Sequence, residues 1–306
     1  MLSILIPTYN VNLHPLISEL QPQLNDCQIE YEIIIEDDLS SDESIRHHNS
    51  MLGEMEHIIY IEHTDNLGRS KSRNHLADIA KFPYLLFIDC DARMKRKTYI
   101  ADYLKYINEK QLEGQTFAVY GGLSYHLVSP SKEQRLRHKY GVCREVRPAF
   151  VRNRHPHHNF TPFNLLISKS VFEICRFDET LTEYGYEDTF FGMALEEAGV
   201  PVWHIDNELY HDGVDNNKDF LRKIEASVRN LDKLNREGKV DERFLTQSRL
   251  LQTWKRYSES SASSLIFKTL RLLRPLITKL MMNANSLKAM DLYKLLLFDE
   301  LQQDQV

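Results

Sequence analysis

The sequence predicts an α/β protein with a mainly parallel, Rossmann-like sheet, helices on both faces, and a C-terminal helical appendage. Two observations lead to this prediction. Short β-branched runs alternate with helical patterns through the first half of the chain, and the chain beyond residue 219 is helical in pattern. Strand–helix repetition of this kind is typical of parallel sheets covered by helices. In such sheets, ligands bind beyond the carboxyl ends of the strands.

The first half contains four strand-like runs. Strands are predicted at residues 3–9, 31–36, 58–63 and 84–89, with helices between them, the second at 43–55 and the third at 69–81. Helical spacing places Leu13, Leu16, Ile17, Leu20 and Leu24 on the inner face of the first helix, and Leu76, Ala77, Ile79 and Ala80 on that of the third. Either Ser41 or Asp42 caps the second helix.

The second half is less regular. We expect a strand at 116–122, a short helix at 131–141, a loop rich in Arg, His and Pro at 144–160, a helix that ends at Gly199, and a long amphipathic helix at 219–238. The segments 200–205 and 208–211 are predicted to be short strands. The sequence contains neither an internal repeat nor a low-complexity tract.

Composition narrows the class of protein. The 306 residues include 38 basic and 44 acidic side chains, a formal charge of −6, so the molecule as a whole is not built to bind nucleic acid electrostatically. The four cysteines show no CxxC spacing, which fits a reducing cytosol. The N-terminus lacks a signal-peptide pattern, and no window approaches the ~18 apolar residues of a membrane span. We therefore expect a cytoplasmic protein that is soluble or lies on the inner face of a membrane.

Two acids follow directly on the fourth predicted strand. Asp89 and Asp91 are two residues apart, so on extended backbone their side chains point the same way. Two such carboxylates repel unless a cation lies beside them, and Mg²⁺ or Mn²⁺ prefers oxygen ligands. The alternative is that the strand simply ends in polar residues.

Polar side chains also follow the first two strands, at 9–10 and 37–38, so three strand tips at one sheet edge carry them. The phosphate-binding motifs GxGxxG and GxxxxGK[ST] are absent, as is the GxSxG motif of α/β-hydrolases. Carboxylates bind a nucleotide's phosphates only through a metal, or its base and ribose through hydrogen bonds.

Five segments in order resemble glycosyltransferase family 2, the inverting enzymes with the GT-A fold: SILIPTYN, EIIIEDDLSSD, DNLGRSKSRN, FIDCDA and YGYEDTFFGMALEEAG. The resemblance covers roughly residues 1–215. It implies transfer of a sugar from a nucleotide-sugar donor, UDP-linked by expectation, to a hydroxyl of a glycan or lipid-linked saccharide, with inversion. It also implies a catalytic domain at 1–215, with a nucleotide-binding half at 1–115 and an acceptor half at 116–215, followed by a helical region at 216–306.

The resemblance assigns roles to individual residues. The implied donor-nucleotide residues are Pro7, Tyr9, Asp37, Asp38, Arg73 and Asp89. The implied ligands of Mn²⁺ or Mg²⁺ are Asp91 and His211, with Asp89 in support. The second acid of the "ED" pair, Asp188, is the implied general base, and Glu187 orients the acceptor. Asn164, Lys169 and Tyr186 are the implied acceptor-side residues.

Some features depart from the family pattern. Leu39 and Glu36 replace a small and an apolar residue, and the QxxRW signature of processive synthases is absent. The histidines of 155–158 suggest either a second metal site or a mobile loop over the donor or acceptor. A nucleotidyltransferase would need a glycine-rich loop after the first strand, which is missing. A non-catalytic relative would have lost the base or the paired acids, and both are present.

The C-terminal region has a basic amphipathic pattern between residues 260 and 290. Apolar residues at helical spacing are Ile266, Leu270, Leu273, Ile277 and Leu280, and the basic residues are Lys268, Arg271, Arg274, Lys279 and Lys288. This pattern predicts either peripheral membrane contact or packing on the rest of the protein.

Overall fold

The computed structural model describes residues 1–126, 130–158 and 160–303. The chain forms two compact units. Unit 1 comprises residues 1–126, 146–182 and 187–213, and unit 2 comprises residues 127–145, 183–186 and 214–306. The functional division predicted at residue 215 stays a prediction.

Unit 1 contains the strands. In chain order they are β1 (Leu2–Thr8), β2 (Tyr31–Asp37), β3 (Ile58–Glu62), β4 (Tyr84–Ile88), β5 (Ala92–Met94), β6 (Ala118–Tyr120), β7 (Leu123–Ser124), β8 (Asn164–Ser168), β9 (Val202–His204) and β10 (Leu209–His211). Seven of them form one sheet in the order β3-β2-β1-β4-β8-β6-β9. All its neighbours are parallel except β8, which runs antiparallel to β4 and β6. The mainly parallel α/β fold is thereby confirmed.

The helices, in chain order, are α1 (His14–Asp26), α2 (Glu43–Ser50), α3 (Arg69–Ile79), α4 (Tyr99–Glu109), α5 (Arg135–Tyr140), α6 (Ala149–Arg152), α7 (Val171–Ile174), α8 (Glu187–Glu197), α9 (Asn217–Arg236), α10 (Glu242–Gln247), α11 (Arg249–Ser258), α12 (Ser263–Leu272), α13 (Arg274–Ala284) and α14 (Leu287–Gln303). The predicted cap of α2 is Asp42, whose carboxylate accepts from the backbone N–H groups of Ser44 and Ile45.

The core of unit 1 explains the continuous apolar strands. β2 is buried along its whole length, as expected of a central strand that is covered on both faces. On one face, Leu76 and Ala77 of α3 and Phe191 of α8 join the same cluster as Ile34. The prediction that Ile79 faces inward is wrong: α3 ends there, and the side chain is 39% exposed.

The sequence did not reveal a second, small sheet in the order β5-β10-β7. The strand predicted at 208–211 corresponds to β10, but β5 and β7 have three and two residues, too few to show an alternating pattern. β10 pairs antiparallel with β5, and His211 lies opposite Ala92. This pairing brings the end of β10 beside the acids that follow β4.

Unit 2 is helical. Asn216 caps α9, the helix predicted at 219–238, and its apolar stripe is buried at Phe220, Ile224, Val228, Leu231 and Leu234, whereas Leu221 is only partly buried. The helix α14 packs against α9, α11, α12 and α13. Among the helices of the described residues, none is long and apolar enough to span a bilayer.

Candidate active site

The carboxyl ends of β1, β2 and β4 lie at one edge of the main sheet because these strands are parallel neighbours. The acids at 37–38, 89 and 91 therefore collect at this edge, where open α/β sheets bind ligands. We call it the donor edge, after the nucleotide-sugar donor that the family resemblance implies.

Asp37 is fully buried at the end of β2. Its Oδ1 accepts a hydrogen bond from the backbone N–H of Ser40 at 2.6 Å, and its Oδ2 accepts one from the Tyr60 hydroxyl at 3.1 Å. Burial, followed by the charge of Asp37, raises the pKa of Tyr60 well above its usual range, which keeps it a donor. Asp37 thus fastens the turn after β2.

Asp38 holds the loop before α3. Its two carboxylate oxygens accept from the backbone N–H groups of Leu67 and Gly68, the latter at 2.9 Å. Gly68 has φ +77°, which glycine adopts at little cost. Each oxygen keeps a second lone pair with which it can accept from a nucleobase.

The turn after β1 presents Tyr9 to solvent. Asn10 has φ +55°, and its backbone N–H donates to the Ser40 hydroxyl at 2.8 Å, which ties this turn to the one after β2. Tyr9 is 49% exposed, and its hydroxyl lies 3.4 Å from Oγ of Ser41. Pro7 lies in β1 opposite Glu36 and is partly buried. Tyr9 is therefore the accessible aromatic side chain of this turn.

Two arginines of α3 connect the donor edge to α8. Nη2 of Arg73 donates to Oδ1 of Asp89 at 3.1 Å, and Nη1 lies 3.8 Å from Oε1 of Glu187. Nη1 of Arg69 donates to the same Glu187 oxygen at 3.2 Å. Arg69 was missed by the sequence reasoning, although its i, i+4 spacing from Arg73 places both on one helix face.

The Arg73 guanidinium keeps hydrogen-bonding capacity. The residue is 5% exposed, and its Nε and Nη1 make no hydrogen bond with any part of the chain that the structure describes. A buried donor left without an acceptor costs about 1–3 kcal/mol. Beside Asp89, these N–H groups are suited to donate hydrogen bonds to an anionic ligand.

Asp91 and His211 face each other. Nε2 of His211 lies 3.8 Å from Oδ2 of Asp91. Bonds of about 2.1 Å allow two ligand atoms on one cation to lie up to about 4.2 Å apart, so the pair fits a shared Mg²⁺ or Mn²⁺. The His211 ring is stacked near Tyr125 and Phe163. A Cβ at Gly213 would lie 2.0 Å from Oδ2 of Asp91, so only glycine fits there.

The acids that open α8 differ in their surroundings. Glu187 is 8% exposed and contacts the two arginines of α3, whereas Asp188 accepts from the backbone N–H of Thr189 at 2.7 Å. Burial, followed by repulsion from Glu187, raises the pKa of Asp188 to about 6. A carboxylate with such a pKa is well matched to proton abstraction near neutral pH.

Asn164, an implied acceptor residue, is fully buried. Its Oδ1 accepts from the hydroxyls of Tyr99 and Tyr103 at 2.6 and 2.8 Å. Its Nδ2 donates to the backbone oxygens of Gly122 and Asn207 at 2.8 and 2.9 Å. With these bonds its hydrogen-bonding capacity is used inside unit 1, so Asn164 positions the β6 end and is not assigned to an acceptor.

Lys169, the second implied acceptor residue, lies at the opposite edge of the sheet. β8 runs antiparallel to β4, so Ser168 pairs with Tyr84 at the start of β4. The Lys169 ammonium donates to the backbone oxygen of Ala80 at 2.5 Å, just past the end of α3. This placement separates Lys169 from the donor edge.

Tyr186, the third implied acceptor residue, belongs to unit 2 and directly precedes Glu187 in the chain. It has φ +76°, which is uncommon for a tyrosine. The hydroxyl of Ser227 donates to its hydroxyl at 3.2 Å, and its ring lies 5.6 Å from that of Phe244. Tyr186 therefore packs against other residues of unit 2.

The 155–158 segment, which is part of unit 1, contacts other residues of that unit. Nε2 of His157 lies 2.9 Å from the backbone oxygen of Val200, and a Cβ at Gly192 of α8 would lie 2.2 Å from the His157 oxygen. The rings of His155 and His158 stack at 5.6 Å. Neighbouring Asn159 lies outside the described residues. Within the described residues, the metal-ligand grouping of three side chains lies elsewhere, at Glu36, His63 and His75.

The chain was compared with known proteins. A family model described as Glycosyl transferase family 2 matches residues 3–174, more than half of the chain. Over 94 residues the chain is 39% identical to a poly(ribitol-phosphate) beta-glucosyltransferase of Bacillus spizizenii. That match covers 29% of this chain and 14% of the relative, so the chain spans only a small part of its length.

Two solved structures are similar in fold. TarS of S. aureus, residues 1–349, has a TM-score of 0.51 at 17% identity and covers 99% of this chain and 92% of its own. The mannosyltransferase PcManGT of Pyrobaculum calidifontis, in complex with GDP-Man and Mn²⁺, has a TM-score of 0.52 at 16% identity and covers 98% and 87%. At these identities the likeness shows the fold alone.

Proposed function

The chain belongs to glycosyltransferase family 2 and has the GT-A fold; on that premise we propose that it is an inverting enzyme that transfers a sugar from a UDP-linked donor to a hydroxyl. The observation that carries the proposal is the Arg73 guanidinium, which contacts Asp89 of the donor edge and Glu187 of α8. One buried cation thereby joins the acid proposed for the donor side to the helix that carries the proposed base.

The donor-side chemistry follows from the residues of this edge. Tyr9 offers a ring and Asp38 a lone pair to the nucleobase, while the unused N–H groups of Arg73 meet the anionic part of the donor. Asp91 and His211 would hold Mn²⁺ or Mg²⁺, with Asp89 in support. When bound, the cation would neutralise the diphosphate leaving group.

The acceptor-side chemistry needs a base and no enzyme nucleophile, because inversion takes a single displacement. Asp188 abstracts the proton of the attacking hydroxyl, and its pKa of about 6 keeps it ionised at neutral pH. Glu187, held by Arg69, orients the acceptor. An α-linked nucleotide sugar should therefore give a β-linked product.

We propose that Phe150, in place of Asn164 and Lys169, contacts the acceptor saccharide with its aromatic ring. It is 68% exposed on α6. The neighbouring Arg152 is buried and donates to the backbone oxygens of Tyr120 and Ile205, at the carboxyl ends of β6 and β9. Exposed aromatic rings offer an apolar face to a saccharide. Phe150→Ala should raise the KM for the acceptor and leave the KM for the donor unchanged, with the exposed Ile174→Ala as control.

The acceptor itself is proposed to be a glycan or lipid-linked saccharide. The name of the Bacillus spizizenii relative adds a polyol-phosphate polymer to the candidates. The deciding experiment screens UDP-, GDP- and dTDP-sugars for transfer with Mn²⁺ and Mg²⁺, and determines the anomeric configuration of the product by NMR. Retention of configuration, or full transfer in EDTA, would contradict the mechanism.

Unit 2 carries the proposed membrane contact. On α12 and α13, the buried side chains include Phe267, Ile277 and Met281, whereas Leu272 and Leu276 are 77% and 51% exposed. Other exposed leucines of these helices and their junction are Leu265, Leu273 and Leu280.

The charged side chains near these exposed leucines favour an anionic bilayer as their partner. Lys268 and Lys279 are exposed, whereas Arg271 and Arg274 pair with Asp299 and Glu300 of α14. Exposed leucines beside lysines suit an acidic lipid surface.

The membrane contact is tested by vesicle flotation. Leu272→Gln combined with Leu276→Gln should reduce binding to phosphatidylglycerol vesicles, while Ile174→Gln should not. If the Leu272→Gln, Leu276→Gln double variant bound the vesicles as well as Ile174→Gln does, the membrane contact would be refuted.

A further inference from the structure

Glu36 is a carboxylate in the interior of the main sheet. It lies on β2 with Pro7 of β1 on one side and Ile61 of β3 on the other, and none of its surface is exposed. Burying a carboxylate is costly unless a partner offsets its lost hydration. A glutamate in a strand of isoleucines therefore calls for a cationic or metal partner.

Two histidines converge on this carboxylate. Nε2 of His63, which follows β3, lies 3.0 Å from Oε1, and Nδ1 of His75, on α3, lies 2.7 Å from Oε2. The three ligand atoms all lie within 4.8 Å of one another, and the two rings meet edge to face at 5.3 Å. Three segments far apart in sequence thus present two imidazoles and one carboxylate to one point.

Hydrogen bonding explains only half of this arrangement. Nδ1 of His75 and Oε2 of Glu36 form a hydrogen bond. Nε2 of His63 and Oε1 of Glu36 are buried, and neither forms a hydrogen bond with any described residue, although they lie 3.0 Å apart. Leaving two buried polar atoms without hydrogen-bond partners is costly for a folded protein. A cation between them would satisfy both.

We propose that Glu36, His63 and His75 form a zinc site, with water as the fourth ligand. Two imidazoles and one carboxylate are a common zinc ligand set, whereas magnesium and manganese prefer oxygen ligands. Bonds of about 2.0–2.1 Å in a tetrahedral site place ligand atoms roughly 3.3 Å apart. The distances at Glu36, 2.7 and 3.0 Å, lie slightly below this spacing, and all three ligand atoms lie within 4.8 Å of one another, so the side chains would adjust around the ion as it binds.

The position of the proposed zinc gives it a consequence for the donor edge. The backbone N–H of His63 donates to the oxygen of Asp37, next to the Asp38 that holds the loop before α3. His75 lies two residues from Arg73 on α3. Zinc would therefore fix β2, the end of β3 and α3 relative to one another.

The test measures zinc binding by the full-length chain without a histidine tag. Asp91→Asn serves as the background, so that the proposed catalytic metal site does not contribute. After removal of metal with a chelator, one equivalent of Zn²⁺ should bind in competition with a chromophoric chelator. Co²⁺ in its place should give the visible absorption of a tetrahedral complex, and a large excess of Mn²⁺ should not displace the zinc.

Ligand variants locate the zinc. In the same background, His63→Gln and His75→Gln should each weaken Zn²⁺ binding by roughly tenfold or more. His47→Gln, an exposed histidine of α2, should leave it unchanged. Circular dichroism checks that each variant is folded. Unchanged affinity in folded His63→Gln and His75→Gln would overturn the proposal.

A second measurement does not depend on the variants folding. Zn²⁺ should raise the thermal unfolding midpoint of the Asp91→Asn protein, because a ligand that binds only the folded state stabilises it. Absence of both a zinc equivalent and this rise would leave the three residues as a metal-independent ionic cluster and overturn the proposal.

Discussion

The acids that follow β2 and those that follow β4 make an instructive comparison. Asp37 and Asp38 accept hydrogen bonds mainly from backbone N–H groups of the adjoining loops. Asp89 contacts the guanidinium of Arg73, and Asp91 faces the imidazole of His211. The two pairs look alike in the sequence, since each ends a buried strand at the same sheet edge.

The difference lies in the partners. Backbone donors are fixed by the fold, so the acids after β2 hold the loops in place. Arginine and histidine side chains can exchange partners with a ligand or a metal, so the acids after β4 are suited to chemistry. A polar strand end is therefore suited to metal binding or catalysis only when its partners can be exchanged, whereas Asp38 can meet a nucleobase only with its remaining lone pairs.

The largest expected effect concerns a third group of acids, on α8. Asp188→Asn removes the proposed base with little change in shape, so kcat should fall by roughly 10²–10⁴-fold. The dissociation constant of the donor should stay close to that of the wild type. Steady-state kinetics and calorimetric titration measure the two quantities. The exposed Glu197→Gln of the same helix is the control, and a normal kcat in Asp188→Asn would rule out this base.

The second effect distinguishes the two strand-end pairs directly. Asp91→Asn removes a proposed metal ligand and should lower kcat by roughly 10²–10³-fold, since preorganised charge stabilisation is lost. It should also weaken Mn²⁺-dependent donor binding, unlike Asp188→Asn. Asp65→Asn, at an exposed position, should affect neither. If Asp91→Asn kept its full response to Mn²⁺, the assignment would fail.

The third effect is on stability. Asp37→Asn weakens two buried hydrogen bonds and should lower the free energy of unfolding by about 1–3 kcal/mol, as measured in urea. Tyr60→Phe removes one of these bonds and should cost less. Turnover of the folded Asp37→Asn protein should change by less than about tenfold. If turnover instead fell as far as in Asp91→Asn, the contrast between the pairs would not hold.

The smallest effect is a shift in pH dependence. Asp188 acts deprotonated, so kcat/KM should fall as the pH drops below its pKa of about 6. Glu187→Gln removes the repulsion that helps to raise this pKa and should move the fall to lower pH. A profile that stayed in place would show that Glu187 does not act on Asp188 through its charge.

The same pKa carries a stability change with a defined sign. A carboxyl whose pKa is raised on folding contributes stability below its unfolded pKa, and this contribution is lost as the pH rises through about 6. Asp188→Asn should therefore gain stability relative to the wild type at about pH 8 and less at about pH 4. Denaturant unfolding at the two pH values measures this difference.

Much of the fold could be predicted from the sequence because its signals are local. The buried strands β1, β2 and β4 follow from their short apolar runs, the stripe of α9 follows from helical periodicity, and the cap of α2 follows from residue chemistry. The strand β10 was predicted, but the small sheet was not, because β5 and β7 are too short to carry a period. The residue at which a helix ends was also hard to predict: α3 ends at Ile79, which was expected to face inward but is exposed.

The sequence by itself determined the α/β class, the family resemblance and the collection of acids at the donor edge, because apolar runs, short motifs and their order along the chain suffice for these. Only the tertiary structure decided which polar groups have their hydrogen bonds filled. In the folded protein the hydrogen-bonding groups of the Asn164 side chain are all paired in the core, Lys169 lies at the far edge of the sheet, and His63 and His75 lie beside Glu36. Those contacts join residues far apart in the chain, and no local pattern records such distances.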